Sequence, residues 1–273
     1  MEGMSTTSPG TPPTTLELDG KVAIVTGASR GIGAAVARAF SAAGASVALA
    51  ARDQSALTAL AEELHAAGGR ALAIPTDVTD PDAVAGLVER TVESFGRLDV
   101  ACNNAAGGGH PPTPLADVRL DDFDLGHAVS LRGVFLAMKY EIPAMLASGG
   151  GAIVNMSSTA GLQAVAGLAS YVSAKHGLEG LTKVAALDYA AHGIRVNAVA
   201  PGPILTDNLL RAGEQAQQAA AAAMPMRRVG QPDEVAAATV WLCSDQAAYV
   251  TGATLVIDGG KLAGTPPFQV RGL

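Results

Sequence analysis

The chain is short of aromatic residues, charge and cysteine, and each shortage excludes something. Aromatic side chains are 4% of 273 residues. A core must therefore be built from Ala, Val, Leu and Ile, which suits a parallel sheet covered by Ala- and Leu-rich helices. Charged residues are 16% and the formal net charge is -7. That balance argues against nucleic acid or an anionic membrane surface as a partner. The only cysteines are Cys102 and Cys243, both among apolar neighbours, which points to buried reduced thiols and a cytoplasmic setting. No apolar run approaches the ~20 residues of a spanning helix, and the first residues lack the basic start and apolar core of a secretory signal. His65, His110, His127, His176 and His192 are scattered without metal-ligand spacing, so no metal site is expected.

What is present is a regular alternation. Residues 1–16 are rich in Thr, Ser, Pro and Gly and read as a disordered leader. From Lys21 the pattern becomes a short apolar strand, a glycine turn, an Ala-rich helix from about Ile32 to Ala43 and a second strand ending near Ala51, the size of a βαβ unit. Gly27, Gly31 and Gly33 fall where strand passes to helix. There a bare backbone lets a pyrophosphate approach the unpaired N–H groups of a helix start. A carboxylate for an adenosine 2′-hydroxyl is expected at the end of the second strand, but the sequence has Ala51 followed by Arg52. Arg30, inside the glycine turn, can join Arg52 on a 2′-phosphate. Asp53 is one place late for the carboxylate role and reads as the cap of the next helix.

The alternation continues with a helix over about 54–67, a strand over 70–75, a helix after Asp80, a strand over 98–102 and one long helix over about 120–146. After the stretch 153–175 come a helix to about His192, a strand over 194–200, an Ala-rich helical segment over 216–224, a helix from Pro232 through Cys243 and a last strand over 254–257. With no break in composition, this is one doubly wound α/β domain of about seven parallel strands, spanning 17–261. Asp77 and Val78 follow a strand, a place from which they could meet an adenine ring; Asp77 could equally cap its loop.

The stretch 153–175 concentrates the chemistry. Ile153, Val154 and Met156 form a buried strand that delivers Ser157 and Ser158 to its carboxyl end, where open α/β sheets collect ligands. Tyr171 and Lys175 are four residues apart and so share one helical face. A nearby ammonium favours the phenolate and is expected to lower the Tyr171 pKa.

These motifs together resemble the short-chain dehydrogenase/reductase family, in its branch with a Tyr-x-x-x-Lys pair. The resemblance runs over about residues 18–261 and rests on TGASRGIG at 26–33, DVTD at 77–80, NNAAG at 103–107, the serines at 157 and 158, YVSAK at 171–175 and RVNAVAPGPILT at 195–206. It implies a Rossmann-type fold. It also implies that Gly27, Ser29, Arg30, Gly31, Ile32 and Gly33 line the dinucleotide phosphates and adenosine ribose. Asp77 and Val78 would contact adenine, Asn104 and Ala105 would lie along the cofactor, and Pro201, Gly202, Ile204 and Thr206 would hold the nicotinamide end. Ser158 would be the catalytic serine, with Tyr171 as acid or base and Lys175 on the nicotinamide ribose. Two positions depart from the pattern. Ala106 stands in a glycine place, and Ser130 stands where the family usually has an Asn that helps a water connect the lysine to solvent. A serine there can bond a carbonyl one turn back and still hold a water.

The resulting expectation is an oxidoreductase moving a hydride between NADP(H) and a ketone or secondary alcohol, with NAD(H) as the other possible cofactor. Alternatives are an NAD-dependent dehydrogenase of a sugar or cyclic alcohol, an acyl-thioester ketoreductase, an epimerisation or reductive biosynthetic step, and a dinucleotide-binding protein with little catalysis. The substrate would be read by residues 107–120, 162–168 and a lid over 203–226, with His110 and Gln163 as the polar candidates and an otherwise small apolar pocket. The resemblance implies a homotetramer or homodimer. The tail 262–273, with Phe268 and Val270, would reach a neighbouring subunit.

Overall fold

The computed structural model describes residues 17–107 and 109–264; the expected leader and the tail residues Phe268 and Val270 lie outside them. The elements run β1 (Val22–Thr26), α1 (Gly31–Ala42), β2 (Ser46–Ala51), α2 (Gln54–Ala66), β3 (Arg70–Pro75), α3 (Pro81–Phe95), β4 (Val100–Asn103), α4 (Leu120–His127), α5 (Gly133–Ala147), β5 (Gly151–Met156), α6 (Ala169–Tyr189), β6 (Ile194–Pro201), α7 (Asp207–Arg211), α8 (Glu214–Ala222), α9 (Pro232–Cys243) and β7 (Thr254–Ile257). The strands form one seven-stranded sheet in the order β3-β2-β1-β4-β5-β6-β7, and every pairing is parallel.

Side chains alternate across a strand, and the two faces of the sheet carry separate cores. Ala23 and Val25 of β1 pack with Phe40 of α1, Leu57 of α2 and Val235 of α9. Ile24 between them points the other way, into a cluster with Leu87 of α3, Val134 of α5 and Leu178 of α6. Phe40 is a fully buried aromatic side chain, and alanines carry much of the remaining packing, as the composition requires. Cys102 and Cys243 are buried free thiols, and burial pushes the Cys243 pKa up to about 12. Among the described residues, no helix is long and apolar enough to cross a membrane.

Strand order reverses at β1, whose neighbours are β2 and β4. The chain leaves these two strands in opposite directions, which opens a crevice at their carboxyl ends. Asp53 caps α2 by accepting a hydrogen bond from Ala56 N at 3.1 Å, as the sequence suggests.

The continuous helix expected over 120–146 is divided. Residues Ala128–Arg132 form a π turn between α4 and α5, a feature often found at functional sites. The strand expected over 98–102 is observed over Val100–Asn103; just before it, Asp99 already bonds both neighbours through its backbone, donating to Val22 O and accepting from Ala152 N at 2.9 Å each, while its carboxylate accepts from Val22 N at 2.9 Å and from the Arg97 guanidinium.

Candidate active site

The glycine turn after β1 is tied to the end of β4 by the side chains of Thr26 and Asn104. Thr26 Oγ1 accepts from the backbone N–H groups of Asn104 at 3.0 Å and Ala105 at 3.1 Å. Asn104 Nδ2 donates to Thr26 O at 3.1 Å and Gly27 O at 3.3 Å. The packing leaves no room for side chains: a Cβ on Gly33 would lie 2.2 Å from Gly27 O, and one on Gly27 would lie 2.8 Å from Asn104 Nδ2. Gly27 also has φ +67°, in the left-handed region that glycine tolerates best. Thr26 is a structural partner that the motif reading did not single out.

Helix α1 starts in this turn with no side-chain cap at Arg30 and no acidic residue in its first turn. An uncapped helix start offers N–H donors and the positive end of the helix dipole to an anion. The turn therefore fits the pyrophosphate of a dinucleotide. At the adenosine end, Ala51 closes β2, and Arg30 and Arg52 are exposed. Each arginine sits near a carboxylate, Arg30 near Asp53 and Arg52 near Asp77. Of the two roles open to Asp77, the structure shows the cap: its carboxylate accepts from Thr79 N at 2.9 Å and Thr79 Oγ1 at 2.8 Å. Val78 lies beside Gly133, where an added Cβ would meet Val78 Cγ2 at 3.0 Å.

A cleft of about 190 Å³ follows the carboxyl ends of β4, β5 and β6. Asn104 and Ala106 line it from the end of β4, Met156, Ser157 and Ser158 from β5, and Pro201, Gly202, Ile204 and Thr206 from β6; Ile32 of α1 and Tyr171 and Lys175 of α6 complete it. The chain thus brings Ser158, Tyr171 and Lys175 to one wall. Ser158 is held extended as the cap of a short 3-10 turn, its Oγ accepting from Ala160 N at 3.1 Å.

The electrostatics differ from the expectation for Tyr171. Its pKa is raised, not lowered: burial dominates, and the hydrogen bond with Ser158 offsets it only in part. The Lys175 ammonium lies 5.8 Å from the phenol ring centroid and donates to Met156 O at 2.5 Å. It is anchored to the strand and not to the phenol oxygen. Burial also pushes Lys175 down to about 8. A backbone carbonyl as the lysine's partner leaves no mark in a sequence.

Ser130 lies in the π turn and is 1% exposed. Its hydroxyl donates to Gly107 O at 3.3 Å, so its partner is the loop after β4 and not the carbonyl one turn back. His110 Nδ1 contacts the neighbouring Pro111 O at 2.9 Å, Gln163 is exposed, and neither lines the cleft.

Beneath the cleft is a buried polar chain that the sequence reading did not find. Asn103 Nδ2 donates to Glu141 Oε2 at 3.0 Å and to Asn155 Oδ1 at 3.1 Å, and Asn155 Nδ2 donates to Thr182 Oγ1 at 3.0 Å. Burial pushes the Glu141 carboxyl up to about 7, against the pull of the Asn103 hydrogen bond. Glu141 Oε1 has no hydrogen-bond partner among the described residues.

A family model described as "Enoyl-(Acyl carrier protein) reductase" matches residues 27–261. The chain is 46% identical over 248 residues to an A-factor type gamma-butyrolactone 1′-reductase (1S-forming) of Streptomyces virginiae, covering 89% of this chain and 96% of that protein. It is 41% identical to a cyclohexanol dehydrogenase of Acinetobacter, over 89% of this chain and 95% of the relative. A crystal structure of a short-chain type dehydrogenase/reductase from Mycobacterium marinum superposes with a TM-score of 0.86 at 36% identity, covering 92% of this chain and 98% of the other. With the glycine turn, the parallel sheet and the cleft in agreement, the chain belongs to the short-chain dehydrogenase/reductase family, oxidoreductases that work with a nicotinamide dinucleotide.

Proposed function

We propose that the protein is an NADP(H)-dependent ketoreductase or alcohol dehydrogenase acting on a small to medium, largely apolar ketone or secondary alcohol. One observation carries this reading: Ser158, Tyr171 and Lys175 line the same cleft, next to the ends of the strands that a dinucleotide would cross. The relatives named above, a butyrolactone reductase and a cyclohexanol dehydrogenase, support a substrate of modest size that contains a small ring. Preference for NADP(H) rests on Ala51 where a carboxylate is otherwise expected, with Arg30 and Arg52 exposed beside it.

A bound nicotinamide supplies or accepts the hydride. The glycine turn at 27–33 would hold the phosphates, and Pro201, Gly202, Ile204 and Thr206, which line the cleft, would border the nicotinamide end. Tyr171 delivers a proton to the substrate oxygen in reduction. Burial keeps its phenol protonated at neutral pH, the state a proton donor needs. Ser158 hydrogen-bonds the same oxygen and stabilises the charge that develops on it. Lys175, cationic below about pH 8 and anchored on Met156 O, would hold the ribose of a bound cofactor. Ser130, tied to Gly107 O, fixes the π turn that borders this wall.

A second reading, an NAD-dependent dehydrogenase of a cyclic alcohol, draws on Asp53 and Asp77, which offset the charge of the two arginines. A panel of cyclic and linear ketones and alcohols, followed by nicotinamide absorbance with each cofactor, tests both. NADPH-dependent turnover that Arg52→Ala weakens far more than NADH-dependent turnover supports the first reading. Equal losses support the second, and binding without turnover of any panel member overturns both. We further infer a homotetramer or homodimer. An open apolar groove lined by Leu131, Phe135, Leu181 and Val184 along α5, α6 and the π turn is the surface a second copy would cover, and light scattering checks it.

A further inference from the structure

Two opposite charges are buried one helical turn apart on α6. Lys175 is 1% exposed and Glu179 6%; with Tyr171 they fall at i, i+4 and i+8, on one face of the helix. Each is only partly satisfied. Lys175 Nζ donates to Met156 O, but no carboxylate pairs with it at contact distance among the described residues. Glu179 Oε2 accepts the Thr254 hydroxyl from β7, while Oε1 has no hydrogen-bond partner among the described residues. A buried ion needs an opposite charge or several dipoles, and Glu179 is a carboxylate one turn along the same buried face as Lys175.

We propose that Glu179 is the counter-charge of Lys175, a positioning residue that keeps the lysine cationic in the cleft without touching substrate or cofactor. This rests on reading Lys175 as the cation of the site. The other groups around the pair leave the role to Glu179. From α6 itself, Tyr171 is the other titratable group on this face, and Lys183, one turn beyond Glu179, is exposed. The π turn contributes neutral Ser130, and β5 contributes neutral Asn155 and the Met156 carbonyl. After β7, Asp258 is occupied by Gly260 N and Leu262 N, and Lys261 Nζ donates to Thr159 Oγ1 at 3.3 Å. Glu141 lies behind Asn103 and Asn155. The charge of Glu179 opposes the burial that depresses Lys175.

The test uses the full chain and two readouts against pH: NADPH affinity, from the fluorescence enhancement of bound cofactor, and carbonyl reduction with the best panel substrate. Removing a carboxylate beside a cation lowers the cation's pKa. Glu179→Gln is expected to move the alkaline limb of both profiles down by about one pH unit. Glu179→Asp, which keeps the charge, should return the limb towards its original place. In a Lys175→Met background, Glu179→Gln should move nothing. If Glu179→Gln fails to fold, Glu179→Met makes the same comparison. A structural role alone would lower the melting temperature and leave the limb in place. An unmoved limb in a folded charge-deleting variant, or an equal movement without Lys175, overturns the proposal. A wild-type protein that binds NADPH but reduces nothing overturns the proposed function instead, and the binding profile still decides the role of Glu179.

Discussion

The turn at 26–33 and the segment at 203–230 border the same cleft and are built in opposite ways. In the turn, two hydrogen bonds to Thr26 Oγ1 and two from Asn104 Nδ2 fix the backbone, and there is no space for a single added carbon at Gly33. In the second segment, α7 and α8 contain no buried residue, and Met226 is 59% exposed. That segment is secured at its roots. Ile204 and Gly230 form a parallel bridge, Leu205 N donates to Gly230 O at 2.9 Å, and Arg228 pairs with Glu234 at 2.6 Å. The difference is in how each is held: the turn admits no added carbon at Gly33, while the outer segment enters the core through Ile204 at its root and leaves α7 and α8 without a buried residue.

Losing the phenol of the cleft that both segments border should cost most. Tyr171→Phe removes the proton donor and leaves the turn untouched, so turnover should fall about a thousandfold while NADPH affinity by fluorescence titration stays near wild type. Retained turnover would remove Tyr171 from the chemistry. Gly33→Ala places a carbon against Gly27 O and should destabilise the fold by about 3 kcal/mol, seen as a lower melting temperature together with lost cofactor binding. An unchanged melting temperature would show that the turn yields more readily than its packing suggests.

Glu141 tests the floor beneath both segments. Its pKa is raised in the fold to about 7, so its protonated form is favoured there. Its contribution to stability is full below its unfolded value of ~4.5 and is lost as pH rises through about 7. Glu141→Gln mimics the neutral acid and should stabilise the protein at pH 8 relative to wild type by at most a few kcal/mol, with no gain at about pH 4. Equal melting shifts at both pH values would contradict this. The smallest effect belongs to the exposed roots of the outer segment. Glu234, held at about 2 by Arg228 and Gln231 N, is a surface partner of the kind that contributes little to stability. Glu234→Gln should leave the melting temperature nearly unchanged and raise KM with kcat intact, the sign of lost uniform binding. A fall in kcat would place this root closer to the chemistry.

Much of this was legible from the sequence because it depends on local pattern. Period and turn residues delimit α9 and β7 at the expected ends, and the spacing from Ser158 through Tyr171 to Lys175 assembles one wall of a cleft. What stayed hidden depends on contacts between distant parts of the chain. The break at Ala128–Arg132 goes with a hydroxyl reaching Gly107, which helical periodicity does not encode. The direction of the Tyr171 shift follows from burial, and spacing alone suggested the reverse. His110 and Gln163 are polar residues on loops, where no repeat fixes the direction of a side chain. Glu141 and Glu179 look like ordinary helical acids until the fold closes over them.

The central pairing of the sheet joins Ala23 to Val100, so β1 cannot complete its hydrogen bonds until a much later stretch has left the ribosome. Until then Ile24 and Val25 form one border of an unfinished ribbon, the kind of open apolar edge that recruits other chains. A synthesis arrested before Asn103 would expose that border, and fragments of this length should precipitate more readily than the full chain.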